Sequence, residues 1–258
     1  MTIKDFNEMV ENDYWNQSIQ SIDPVSDNWF PLMKYDEEYG LSQSLDNIRF
    51  ISLGLNPSLT TSFSQYIHSN ILEVRKQFDF KNELKYGQER YEFYIKNKSS
   101  AIKKLIDYQA RLKYNDKDKE QIQYFSHLTS FFEEIDENIS FKNHVFHYDF
   151  CQLRCTDSKE IWDMLSSNYK LLAHHLLKII DIVKPEIIFV FNAFLSKLLI
   201  ENDFFSIKKI DKANGCYFLK GSHEFYPKII LANQLSGGAT SIVYRDLLVW
   251  NTQRILGF

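Results

Sequence analysis

Apolar and polar positions along the chain follow two rhythms. Short, nearly continuous apolar runs occur at Phe50–Leu53, Val145–Phe150, Glu186–Phe191 ("EIIFVF") and Lys228–Ala232 ("KIILA"). Runs of this length and content predict strands covered on both faces. Elsewhere apolar residues recur every three or four positions. The clearest case is Lys159–Val183, where Ile161, Leu165, Leu172, Leu176, Ile179 and Val183 line one helical face. Asp157 and Glu160 form a capping box before it, and Lys184-Pro185 ends it. Further helices are predicted at 3–20, Ala193–Glu201 and Ile242–Leu256, and residues 21–46 read as a loop-rich lead-in. Residues 64–135 alternate charged and aromatic positions at helical spacing. They predict two or three helices forming an insertion or lid, with "NDKDKE" (Asn115–Glu120) as a solvent-facing joint. A weaker strand is predicted near Cys216–Leu219.

The resulting order is strand, long helical segment, strand, helix, strand, helix, strand, helix. This alternation predicts an α/β fold with a central four-stranded parallel sheet and helices on both faces. A chain of 258 residues that is 44% hydrophobic suits one such domain over 1–258, with the helical insertion at about 64–135. In sheets of this kind the ligand site lies outside the carboxyl ends of the strands. Three loops leave those ends: "GLNPS" (Gly54–Ser58), "CQLRCTD" (Cys151–Asp157) and "NQLSGG" (Asn233–Gly238).

Composition removes several classes of function. No run of about 18 apolar residues is present, so no membrane span is expected. The first residues are acidic and amphipathic rather than a secretory signal, which makes a cytoplasmic location the default. Three cysteines, Cys151, Cys155 and Cys216, form neither a disulfide framework nor a four-cysteine metal site. The adjacent His174-His175 pair sits mid-helix, with one ring expected buried and the other wet, and has no evident partner ligands for a metal. No Gly-x-x-x-x-Gly-Lys-Ser/Thr or Gly-x-Gly-x-x-Gly pattern supports a nucleotide phosphate cradle of those types. The net charge of −4 argues against a nucleic-acid partner when taken alone. Its distribution is uneven. Residues 1–50 carry ten acidic against three basic side chains, whereas residues 71–120 carry thirteen basic against nine acidic, interleaved with tyrosines. The second stretch reads either as a solvated helical face or as a patch facing phosphates.

The three loops, in this order and on these elements, resemble motifs of the uracil-DNA glycosylase superfamily. "GLNPS" looks like the first motif of its mismatch-specific and single-strand-selective branches, where Gly-x-Asn-Pro-Gly follows the first strand. "NQLSGG" looks like the second motif, Asn-Pro-Ser-Gly-Leu-Ser in the mismatch-specific form. "HYDFCQLRCTD" with its long helix, Lys-Pro and apolar strand is similar to the middle segment. The resemblance covers roughly residues 48–62 and 144–256. It implies a three-layer α/β/α fold with a four-stranded parallel sheet. The activity it implies is hydrolysis of the N-glycosidic bond of a base flipped out of DNA, with no metal or redox cofactor. DNA is then the partner, and a monomer is the default state.

Carried over position by position, the resemblance makes Asn56 the residue that orients the attacking water. An amide is no strong base but can hold a water. That suffices where the sugar becomes cationic before water captures it. Pro57 would fix the turn, and Gly54 would permit close approach or unusual backbone angles. Asn-Pro is also a common way to start a turn. Asn233 matches the residue that contacts the base carbonyl as negative charge develops there. Ser236, Gly237 and Gly238 could present backbone amides to a DNA phosphate, or simply cap the last helix. This chain lacks the motif's Pro after Asn233, and Leu235 is the one bulky apolar residue of the loop that could wedge into the base stack.

Asp149 matches a position where many relatives place an Asn that reads the base edge. Ionised, it can only accept hydrogen bonds, which suits a base with an exocyclic amine; in a dry pocket it could instead be protonated. A one-residue shift of the match, or a loop-capping role, also accounts for it. Ser58 replaces a bulky Tyr of some relatives and leaves room for a 5-substituent. Phe63 and Tyr66 are candidates for stacking on the flipped base, or are core aromatics. Arg154 could face a phosphate or close a salt bridge, and His147 could line the site or be structural. The expected function is therefore a glycosylase for uracil or a 5-modified pyrimidine, in repair or in defence against modified foreign DNA. A catalytically silent DNA-binding protein of the same fold and an unrelated nucleotide-handling α/β protein are the rival readings.

Overall fold

The computed structural model describes residues 3–15, 45–55, 123–151, 158–211, 216–219, 227–232 and 242–258. Among them the helices are α1 (Ile3–Trp15), α2 (Gln123–Ile135), α3 (Phe141–His144), α4 (Ser158–Val183), α5 (Ala193–Glu201) and α6 (Ile242–Leu256). The strands are β1 (Phe50–Gly54), β2 (Val145–Asp149), β3 (Ile187–Phe191), β4 (Phe205–Asp211), β5 (Cys216–Leu219) and β6 (Lys228–Ala232). The chain divides into two compact units: Met1–Ser42, Asn56–Gln109 and Cys151–Ile179 in the first, Gln43–Leu55, Ala110–Phe150 and Ile180–Phe258 in the second.

The second unit holds the sheet, in the order β2-β1-β3-β6-β5-β4. The four expected strands are adjacent and all parallel. They form the centre of a three-layer α/β/α fold. Every residue of β1, β2 and β3 is buried, which explains their unbroken apolar runs. On one face, Phe50, Val145, Ile187, Phe189, Phe191, Ile230 and Ala232 meet the apolar sides of α2 and α6. Their two-residue spacing marks them as one side of the pleat. Helix α2 supplies Phe125, Leu128, Phe131, Phe132 and Ile135 at three- and four-residue intervals. Arg245 on α6 clamps Glu134 on α2 with two hydrogen bonds, of 2.8 and 2.6 Å. Helix α5 runs beside β3, β4 and β6 and buries Leu195, Leu198 and Leu199.

The sheet is wider than four strands. Strands β5 and β4 extend it beyond β6 in antiparallel pairing. β5 is the weak strand foreseen near Cys216–Leu219, but β4 has no counterpart among the expected strands. Its sequence, FSIKKID, carries Lys208, Lys209 and Asp211 and no sustained apolar run. Its strand character comes from backbone pairing with β5, a non-local contact that no periodicity encodes.

The remaining boundaries agree with the apolar pattern. α5, α6 and β6 have the expected ends, and α4 starts at Ser158. Asn192 caps α5 by accepting the Leu195 N–H at 2.8 Å. α4 closes on Lys184, whose φ of 50° is the left-handed turn that ends helices. Of the stretch read as an insertion, Gln123–Ile135 is the core helix α2, and the rest lies outside the described residues.

In the first unit, α1 buries Ile3, Phe6 and Val10. His175 of α4 is buried and its Nε2 lies 2.7 Å from Asp13 Oδ2 of α1, with Phe6 edge-on to the ring. His174 beside it is exposed, so the pair divides as the helical spacing predicts.

Candidate functional site

Strand register brings the relevant ends together. Phe50, Val145 and Ile187 are in step at the start of the parallel strands, with Ile187 opposite Lys228. Four residues later the same row holds Gly54 opposite Asp149, and Phe191 opposite Ala232. The ladder runs one step further, with Phe150 N–H donating to the Gly54 carbonyl at 2.9 Å. The loops that carry the three motifs therefore begin from a single row at the carboxyl edge of the sheet.

A buried polar line runs along one face of β1 and β2 into this row. Ser52, His147 and Asp149 are 0%, 2% and 6% exposed. Ser52 Oγ lies 3.2 Å from His147 Nδ1. His147 Nε2 lies 3.3 Å from Asp149 Oδ1, an ion-pairing distance. Alternation along the strands puts Ser52, Gly54, His147 and Asp149 on the α2 side of the sheet. Phe125 and Tyr124 of α2 stand edge-on to the His147 ring, at 5.0 and 5.7 Å between centroids. The Tyr124 hydroxyl reaches Ser52. Burial holds this phenol strongly protonated, the Asp149 charge adds to the effect, and the Ser52 hydrogen bond offsets part of it.

Gly54 fits this arrangement for a steric reason. A Cβ at that position would collide with Asp149 Oδ1 and come within 3.3 Å of His147 Cε1. The carboxylate thus rests against bare backbone, and glycine serves close approach here.

Of the candidates named from the chain, Gly54 and Asp149 are brought side by side. Asn56, Pro57, Ser58, Phe63, Tyr66, Arg154, Asn233, Leu235, Ser236, Gly237 and Gly238 lie outside the described residues. His147 is buried in contact with Ser52 and Asp149. Ser52 and Tyr124 were not among the candidates. Ser52 could have been found as the one hydroxyl in the run "FISLG", spaced two residues from Gly54 and so on its face. Tyr124 carries no such signal, because packing of a distant helix brings it there. No group of three or more His, Cys, Asp or Glu side chains among the described residues is arranged to hold a metal ion. Cys151 is buried, with its sulfur 3.5 Å from Met164 Sδ.

Compared with known proteins, the chain matches no family model and no curated sequence.

Proposed function

We propose that this protein is a monofunctional DNA glycosylase that hydrolyses the N-glycosidic bond of a flipped, damaged or modified pyrimidine. The observation that carries the reading is the common row of Asp149, Gly54, Phe191 and Ala232. "GLNPS" starts in this row, "CQLRCTD" starts two residues after it, and "NQLSGG" follows it directly in sequence. A site built from three such loops at the carboxyl edge is where an α/β sheet binds its ligand.

The chemistry asked of it is modest. The C1′–N1 bond breaks with its electron pair leaving on the base. Water then adds to C1′ and loses a proton to solvent. Asn56 holds that water, and Asn233 donates to the base oxygen where charge accumulates. The acidic carboxylate of Asp149 faces the edge of the base. No cofactor enters the reaction.

The test is base release. Purified protein is incubated with single- and double-stranded DNA containing uracil, mismatched thymine, cytosine or 5-modified cytosines, and free base is measured by mass spectrometry. Release is expected, and Asn56→Ala should lower its rate by about 10²- to 10³-fold, as loss of one positioned polar group does. Intact DNA binding without release from any substrate would instead favour a silent DNA-binding protein.

A further inference from the structure

We propose that the outward face of α6 is a docking surface for a second copy of this chain, with the two α6 helices packed antiparallel about a twofold axis between Leu247 and Trp250. A helix on a protein surface ordinarily turns its apolar residues inward and its polar ones outward. α6 departs from this. Its inner side packs Leu248 and Val249 into the core, with Tyr244, Ile255 and Leu256 partly buried beside them. Its outer side carries Val243, Leu247 and Trp250, which are 67%, 57% and 57% exposed. These are three of the four large apolar side chains exposed among the described residues. Apolar surface gathered in this way on one helix marks a contact face, whereas scattered single residues would not.

Spacing and charge identify the occupant. Val243, Leu247, Trp250 and Arg254 follow one another at intervals of four, three and four residues. That is the spacing of the seam along which two helices pair. Arg254 adds its apolar stem to the seam, since its guanidinium lies over the Trp250 ring, 5.0 Å from the centroid, and donates to Asn251 Oδ1 at 3.0 Å. Asp246, also exposed, flanks the stripe four residues before Trp250. A parallel, in-register pair would set Asp246 against Asp246 and Arg254 against Arg254. The antiparallel pair joins Leu247 of each copy to Trp250 of the other, and Val243 to the stem of Arg254. Each Asp246 then comes within one turn of Arg254 on the other copy, so opposite charges meet twice. With one acidic and one basic side chain, the stripe does not repel its own image. It also lacks the cationic excess that a DNA backbone requires. Five residues are fewer than the roughly 20–30 that a standard interface takes from each partner. The dimer is therefore a weak one, with a dissociation constant in the micromolar range.

Sedimentation velocity of the full chain from about 1 µM to about 1 mM, the span over which such contacts fill, tests this. The average mass is expected to rise with concentration from that of one chain toward that of two. Trp250→Glu should hold it at one chain throughout, with a circular-dichroism spectrum like that of the unmodified protein. Asp246→Lys should weaken association by at least about fivefold, the loss of two exposed ion pairs. Adding Arg254→Glu to Asp246→Lys should restore part of that loss, because the charges again alternate. A single chain at every concentration overturns the proposal and leaves the face to another segment of this chain or to a different partner. A dimer that survives Trp250→Glu puts the contact elsewhere and overturns it as well. A double charge variant that associates no better than Asp246→Lys overturns the antiparallel pairing.

Discussion

Gly54 and Asp149 face each other across the β1–β2 pair, and the side chain of one occupies the space where the other has none. Gly54→Ala should therefore displace the Asp149 carboxylate. An overpacked site of this kind costs about 1–3 kcal/mol. Urea unfolding of Gly54→Ala, Asp149→Ala and the double variant would measure it. The double variant should recover at least about 0.5 kcal/mol relative to the sum of the single changes, the signature of residues in contact.

Acid should weaken the first unit through His175. Burial lowers its affinity for a proton and His174 adds slightly, while the Asp13 carboxylate opposes both. The folded ring thus titrates below the unfolded one. As pH falls past about 6.5, the unfolded chain takes up the proton first, so stability held above that pH is lost toward the folded value. Melting temperature at pH 7.5 and 5.5 reads the effect. His175→Gln should melt lower at pH 7.5 and lose less on acidification. An equal acid loss in both proteins would exclude His175 as the source.

The aromatic core should be the least tolerant part of the sheet unit. Phe132 is fully buried, and its ring meets Phe50, Phe131, Phe141, Phe189 and Phe191. Phe132→Ala should cost about 3–5 kcal/mol, the range for truncating a buried aromatic. Denaturant titration followed by tryptophan fluorescence would show the midpoint shift. A change below about 1 kcal/mol would mean that the core collapses into the space.

By contrast, the two-point ion pair between Arg49 and Glu186 should matter little. Its distances are short, 2.7 and 3.0 Å, yet the side chains are 37% and 48% exposed. Solvent and salt screen such pairs, so Glu186→Gln should cost no more than about 1 kcal/mol and less at high salt. Thermal melts at low and high ionic strength would decide it. The backbone bond from Glu186 N–H to the Arg49 carbonyl, 2.7 Å, remains in the variant and keeps the strands aligned.

Elements that bury a complete apolar surface were legible in the chain. β1, β3 and β6 show as runs covered on both faces, and α4 shows as a six-residue stripe whose members are all buried. β4 was not legible, because pairing with β5 makes it a strand rather than its own pattern. The site divides the same way. Gly54 and Asp149 stood out because they fall in the loop motifs that carry the family resemblance, at the ends of β1 and β2. Ser52 and Tyr124 did not, because what they do depends on partners reached only after folding. Ser52 and His147, for instance, stand 95 residues apart in sequence.

That separation has a consequence during synthesis. β1 sits between β2 and β3, so both of its hydrogen-bonding edges wait for chain that comes later. Its ladder partners lie 95 and 137 residues downstream, as the Ser52–His147 and Arg49–Glu186 pairs record. At about 5–20 residues per second, a ribosome needs several seconds or more to deliver β2. Throughout that time the nascent chain carries Phe50, Ile51 and Leu53 with neither neighbour made. The strand that anchors the finished sheet is the one most exposed to mispairing while the protein is being born.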